Sequence, residues 1–124
     1  MGNHTKKTDL GVIRIEKNVL GEIATRAAES VLGVSGVGTH VANILNKFFG
    51  ERARYSGAGV TLTENVLKIN IPIIVKYNVD IHKVASEVQG KVHSALEEML
   101  GITYAEVNVI VRGVSEKEVG YESS

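Results

Sequence analysis

Chemistry in this 124-residue chain would have to come from four histidines, fourteen acidic side chains and fourteen basic ones, because there is no cysteine. Thiolate nucleophiles, disulfides and cysteine zinc sites are excluded together. His82 and His93 stand eleven positions apart on one helical stretch, about 16 Å along its axis, too far to share an ion. His4 and His40 are isolated. Each histidine therefore reads as solvated or partly packed. Glu97 and Glu98 are adjacent and diverge, while Glu22 and Glu29 read as solubilising charges on a helix surface. Nothing assembles an acid, a base and a nucleophile, so the sequence predicts no catalytic residue, no metal, no cofactor and no enzymatic activity.

The other candidate is "GVSGVG" at 33 to 38, three glycines in six positions. A dinucleotide fingerprint starting at Gly36 and Gly38 requires glycine where Val41 stands, and it must follow a strand, whereas a helical stretch precedes this one. A phosphate-cradling P-loop requires a lysine, and none occurs before Lys47. A nucleophile turn around Ser35 requires glycine at Val37. The fourth use is the Gly-x-x-Gly loop with which KH domains clamp a nucleic-acid backbone between two helices, and Gly33-Val34-Ser35-Gly36 matches its spacing. Val34 and Ser35 carry no charge for a phosphate, and the chain has zero net charge, so nucleic acid is a disfavoured partner. The simpler reading makes Gly33 a helix stop and Gly36 and Gly38 the turn after it. "MLGIT" repeats the arrangement, with Gly101 ending a later helix.

Residues 41 to 54 offer a different kind of site. Phe48 and Phe49 are the only phenylalanines, and neighbouring helical positions point about 100° apart, so both cannot sit squarely in one core. Lys47, Arg52 and Arg54 surround them with only Glu51 opposing. This stretch reads either as a basic, aromatic-tipped surface for a partner or as a short core helix with a solvated loop.

The elements that must carry these residues follow from periodicity. "GVIRIEKN" reads as a strand, with Asn18 as N-cap of a helix whose apolar face is Leu20, Ile23, Ala24, Ala27 and Val31. Val41, Ile44, Leu45, Phe48 and Phe49 repeat the helical spacing up to Gly50. "VTLTENVLKINIPIIVKYN" reads as a hairpin around Glu64-Asn65, its second strand alternating Leu67, Ile69, Ile71, Ile73, Val75 inward. Pro72 cannot donate to a ladder, so an edge or bulge is expected there. The longest helix runs from a cap at Asn78 or Asp80 through Ile81, Val84, Val88, Val92, Leu96 and Leu100 to Gly101, and "YAEVNVIVRG" closes the chain as a strand. The order β-α-α-β-β-α-β predicts a two-layer α+β fold: one mixed sheet of about four strands with helices on one face. Residues 1 to 10 and 114 to 124 read as polar tails around a single domain over 11 to 113. With 44% apolar residues, this domain buries roughly two-thirds of its unfolded surface. No secretory leader and no run of about 18 apolar residues is apparent, so a cytoplasmic protein without its own membrane span is expected.

Taken in order, Ile-Ala-x-x-Ala-Ala-x-x-Val at Ile23 to Val31, Gly-Val-x-Gly-Val at 33 to 37, the hairpin into "IIVKYNVDI", the helix Val84 to Val92 and the ending "VNVIVRGV" resemble the alkaline shock protein family of bacterial envelope-stress proteins. The resemblance covers about residues 11 to 114. It implies a small non-enzymatic cytoplasmic protein whose relatives can be brought to the membrane by a membrane-embedded partner and serve envelope or lipid homeostasis; a self-associating scaffold is expected here. The resemblance brings no catalytic residues; the candidate contact surfaces, read from the residues themselves, are Pro72's strand edge and the Phe48/Phe49 helix.

Overall fold

A computed structural model describes residues 4 to 38, 59 to 63 and 66 to 115. It begins with a hairpin, β1 (His4–Thr8) antiparallel to β2 (Gly11–Ile15). Thr8 closes the turn: its Oγ1 accepts from the Leu10 amide and donates to the Gly11 carbonyl, both at 3.1 Å. Residues 1 to 10 read as a tail in the sequence because Thr5, Lys6 and Lys7 show no alternation. They show none because the hairpin is exposed on both faces, so no core face selects apolar residues there.

Helix α1 (Lys17–Glu29) starts at Glu16, which makes no side-chain capping bond, and Asn18 lies inside the helix rather than at its cap. The helix buries Leu20, Gly21, Ala24 and Ala28, with Ile23 and Ala27 half-buried beside them. That face is mostly small, which lets the helix axis approach what lies beneath it. The helix stops at Ser30, whose amide bonds to the Ala27 carbonyl, as the Val31 amide does to that of Ala28, and whose Oγ donates to Ala27 at 2.7 Å.

Strand β3 (Val34–Val37) lies within the glycine-rich stretch. It pairs antiparallel with β5 (Val66–Val75), with Ser35 as the extra residue of a bulge between Val34↔Val75 and Gly36↔Ile74. Strand β4 (Gly59–Thr63) also pairs antiparallel with β5, from Thr63↔Val66 to Gly59↔Asn70. Helix α2 (Ile81–Leu100) then crosses back, and β6 (Ala105–Val114) runs parallel to β5 from Leu67↔Ala105 to Val75↔Val114. Because β6 occupies one side of β5 along its length, β3 and β4 share the other side end to end. The sheet is mixed and has four strands, as predicted, but the strand expected at Gly11–Ile15 pairs with β1 in a separate two-stranded sheet and its place is taken by β3. The expected helix over 41 to 49 lies outside the described residues.

Pro72 is a correction. Its strand is the central one, not an edge. It sits between the β4 ladder, which ends at Asn70, and the β3 ladder, which begins at Ile73, and its carbonyl accepts from the Gly38 amide at 2.8 Å. A residue without an N–H is tolerated at the one place where the neighbouring strand is interrupted.

Both helices lie on one face of the sheet: α1 against β3, β4 and β5, α2 against β6 and against α1. Between them and the sheet are Leu67, Ile69, Ile71, Ile73 and Val75 of β5, with Val84, Val88, Val92 and Leu96 of α2. Each such fully buried aliphatic side chain contributes roughly 1.5–3 kcal/mol relative to exposure. No polar or charged side chain is buried among the described residues, so stability rests on this apolar layer. One hydrogen bond pins helix to sheet, from Gln89 Nε2 to the Val107 carbonyl at 3.1 Å.

Candidate interaction surfaces

The four glycines singled out in the sequence perform three different tasks. Gly101 has φ +70°, in the left-handed region, and turns the chain out of α2; its amide bonds to Glu97, and the amide of Ile102, a buried residue, bonds to Leu96. Gly33 does not stop α1, which has ended at Glu29, and its φ is not positive. It is glycine because α2 rests on it: a methyl group at Gly33 would overlap Cγ2 of Val84 and come within 3.2 Å of its Cγ1. Gly38 has φ +98° and leaves β3 toward Pro72. Gly36 lies in β3 with open space where a side chain would stand.

The alternative clamp Gly33-Val34-Ser35-Gly36 is mostly strand. Val34 is buried, and its amide bonds to Val31, while the Gly33 carbonyl accepts from Lys76. Only Ser35 of the two central residues is exposed. Phe48, Phe49, Lys47, Arg52 and Arg54 lie outside the described residues. Among the described residues there is no group of three or more histidine, aspartate or glutamate side chains able to hold a metal ion. His82 is exposed and His93 half-buried on α2. Glu22 makes an ordinary i,i+4 ion pair with Arg26 at 2.9 Å on the surface of α1.

Periodicity missed the surfaces that the fold leaves uncovered. The hairpin presents Leu10, wholly exposed, with Val12 and Ile13 more than half exposed; only Ile15 packs against the core. The sheet face away from the helices is divided. Toward the start of β5 it is polar, with Lys68, Asn70, Glu106 and Asn108, the two asparagines joined at 3.0 Å. Toward its end it is apolar and flat, with Pro72, Ile74 and Ile110 beside Gly36 and Gly113. The last surface is the outer edge of β6, ten residues long and unpaired among the described residues. Its signal in the sequence is "AEVNVIVRGV", which carries the apolar residues of a strand but only one acid and one base.

Comparison with known proteins returns a family. Residues 5–116 match the model of the alkaline shock protein 23 family, described as having a cell envelope-related function. The chain belongs to that family. Among curated relatives of this alkaline shock family chain, uncharacterized protein YqhY of Bacillus subtilis (strain 168) is 30% identical over 107 residues, covering 86% of this chain and 79% of that protein. Uncharacterized protein YloU of the same strain is 28% identical over 110 residues, covering 87% of this chain and 92% of that one. Uncharacterized protein Spy1614 of Streptococcus pyogenes serotype M6 is 27% identical over 107 residues, covering 84% and 88%. No solved structure matches the chain significantly. Among the described residues no helix is long and apolar enough to cross a membrane.

Proposed function

We propose that this protein is a non-enzymatic interaction or scaffold protein, acting in the envelope stress response and in envelope or lipid homeostasis through protein–protein contacts. The observation that carries the reading is membership of a family described as cell envelope-related, matched over residues 5–116. The exposed apolar side chains of the hairpin, Leu10, Val12 and Ile13, support it, since apolar groups in water on an element that packs little against its own core favour a partner. On this reading the protein works in the cytoplasm, self-associates, and reaches the membrane through a membrane-embedded partner.

Mass spectrometry of what the tagged full chain recovers from membranes of its own cells tests the reading. The expected result is one enriched membrane protein, lost when Leu10, Val12 and Ile13 are replaced by serine while the thermal midpoint is unchanged. Recovery of nothing above a control overturns it. So does salt-sensitive retention of single-stranded RNA that falls on Ser35→Asp, which would assign the glycine stretch to nucleic acid instead.

A further inference from the structure

The two sides of the main sheet are protected unequally. On one side β5 is flanked by strands of four and five residues, the first carrying a bulge at Ser35. Short and bulged strands are what proteins place at edges to prevent further pairing. On the other side β6 is ten residues long, contains no lysine and no proline, and among the described residues pairs with no strand but β5; apart from that ladder, its Val107 carbonyl accepts from Gln89 Nε2 of α2 at 3.1 Å. Its regular portion runs from Ala105 to Val111, before the bulge at Arg112, the residue that has no partner in β5. Ile110 and Val111 are 40% and 37% exposed along it.

From this edge we infer that β6 pairs antiparallel with β6 of a second copy, across a two-fold axis at Val109, joining two sheets into one. The inference rests on the self-association proposed above and supplies its surface. The register follows from charge. β6 holds one acid, Glu106, and one base, Arg112, both exposed. An antiparallel self-pairing sets residue i opposite j with a constant sum, and the pairing centred on Val109 is the one that sets Glu106 opposite Arg112, twice by symmetry. It also sets Val107 opposite Val111 and Val109 opposite itself, on the face that carries the helices. Neither charge is spent within the described chain: Glu106 accepts a hydrogen bond from Asn108 Nδ2 at 3.2 Å, Lys68 stands beside it on β5 without forming an ion pair, and Arg112 is in no ion pair. A second copy therefore meets both a hydrogen-bonding edge and a complementary pair of charges.

Charge exchange on the full chain, read by sedimentation across a concentration series, tests this. Glu106→Arg alone sets arginine against arginine, and Arg112→Glu alone sets glutamate against glutamate; each weakens the dimer about ten-fold. An equimolar mixture of the two variants restores opposite charges at both positions and recovers wild-type affinity within about three-fold. At concentrations where each protein is monomeric the thermal midpoints stay unchanged, because both side chains are exposed. Since the chain has no cysteine, Val109→Cys reports the register directly. Under air it oxidises to a disulfide-linked dimer, whereas Val111→Cys, which faces position 107 of the other copy, does not. A wild-type dimer indifferent to both charge variants, a mixture no tighter than its components, or growth beyond dimers overturns the β6 pairing and leaves self-association standing. A wild type that is monomeric throughout overturns both.

Discussion

Gly33 and Gly101 sit in nearly the same words, "VLGVS" and "MLGIT", each just after a helix, and they are glycine for opposite reasons. At Gly101 the backbone is unusual and the surroundings are empty: φ is +70°, and nothing lies within 4 Å of where a side chain would begin. At Gly33 the backbone is ordinary and the space is full, because Val84 of α2 covers it. One glycine is kept for its conformational freedom and the other for its lack of volume. What it costs to replace a glycine is set by what is near it, and sequence context reports only what is near along the chain.

The largest expected effect comes from filling the space. Gly33→Ala should lower stability by about 2–3 kcal/mol, since the new methyl overlaps a β-branched side chain held in a packed helix; chemical denaturation with an unchanged slope against denaturant measures it. If the collision with Val84 is the cause, the two sites must couple. Gly33→Ala in a Val84→Ala background should cost about 1–2 kcal/mol less than in the wild type, and a double-mutant cycle that closes additively would disprove the steric account. Gly101→Ala should cost about 1 kcal/mol, from strain in the left-handed region alone, and Gly101→Asn should recover part of it, because asparagine tolerates that conformation. The smallest effect belongs to Gly36→Ala, expected within about 0.5 kcal/mol, because Gly36 has neither a positive φ nor a neighbour in the way. Reversal of the order of Gly33 and Gly36 would break the comparison outright.

Where physics is local, the sequence is a good guide. Helix α2 is legible from its cap to its stop, because Asp80 accepts the Lys83 amide at 3.2 Å and Gly101 turns the chain, both within a turn of the residues concerned. The alternation of β5 is legible because one of its faces is wholly buried. What stays hidden depends on distant partners. β3 is four residues long and made of "VSGV", which reads as a turn until Val75 is there to pair with it. β1 is recognisable only through β2. The seating of Pro72 on the central strand requires knowing that two short strands meet beside it. The role of Gly33 requires Val84, and the open edge of β6 requires knowing that among the described residues it pairs with β5 alone. The surfaces proposed for recognition are the least legible part, since a residue is exposed only by what fails to cover it. Lys47, Phe48, Phe49, Arg52 and Arg54, which the sequence offers for that role, lie outside the described residues.

The end-to-end meeting of β3 and β4 along one side of β5 has a kinetic consequence. The amides of β5 are held between β6 on one flank and two separate strands on the other, so opening either short strand alone leaves the β6 flank closed. Exchange of the β5 amides that face β6 should follow the global unfolding of the molecule, exchange of those that face β3 or β4 follows the opening of that short strand, and the amides of the β1–β2 hairpin exchange through their own fraying, orders of magnitude sooner. On the flank that faces the short strands one position is silent, because Pro72 has no amide proton to lose. That blank falls at the seam between the two short strands, where protection at Asn70, opposite Gly59 of β4, and at Ile74, opposite Gly36 of β3, would show which of the two lets go first.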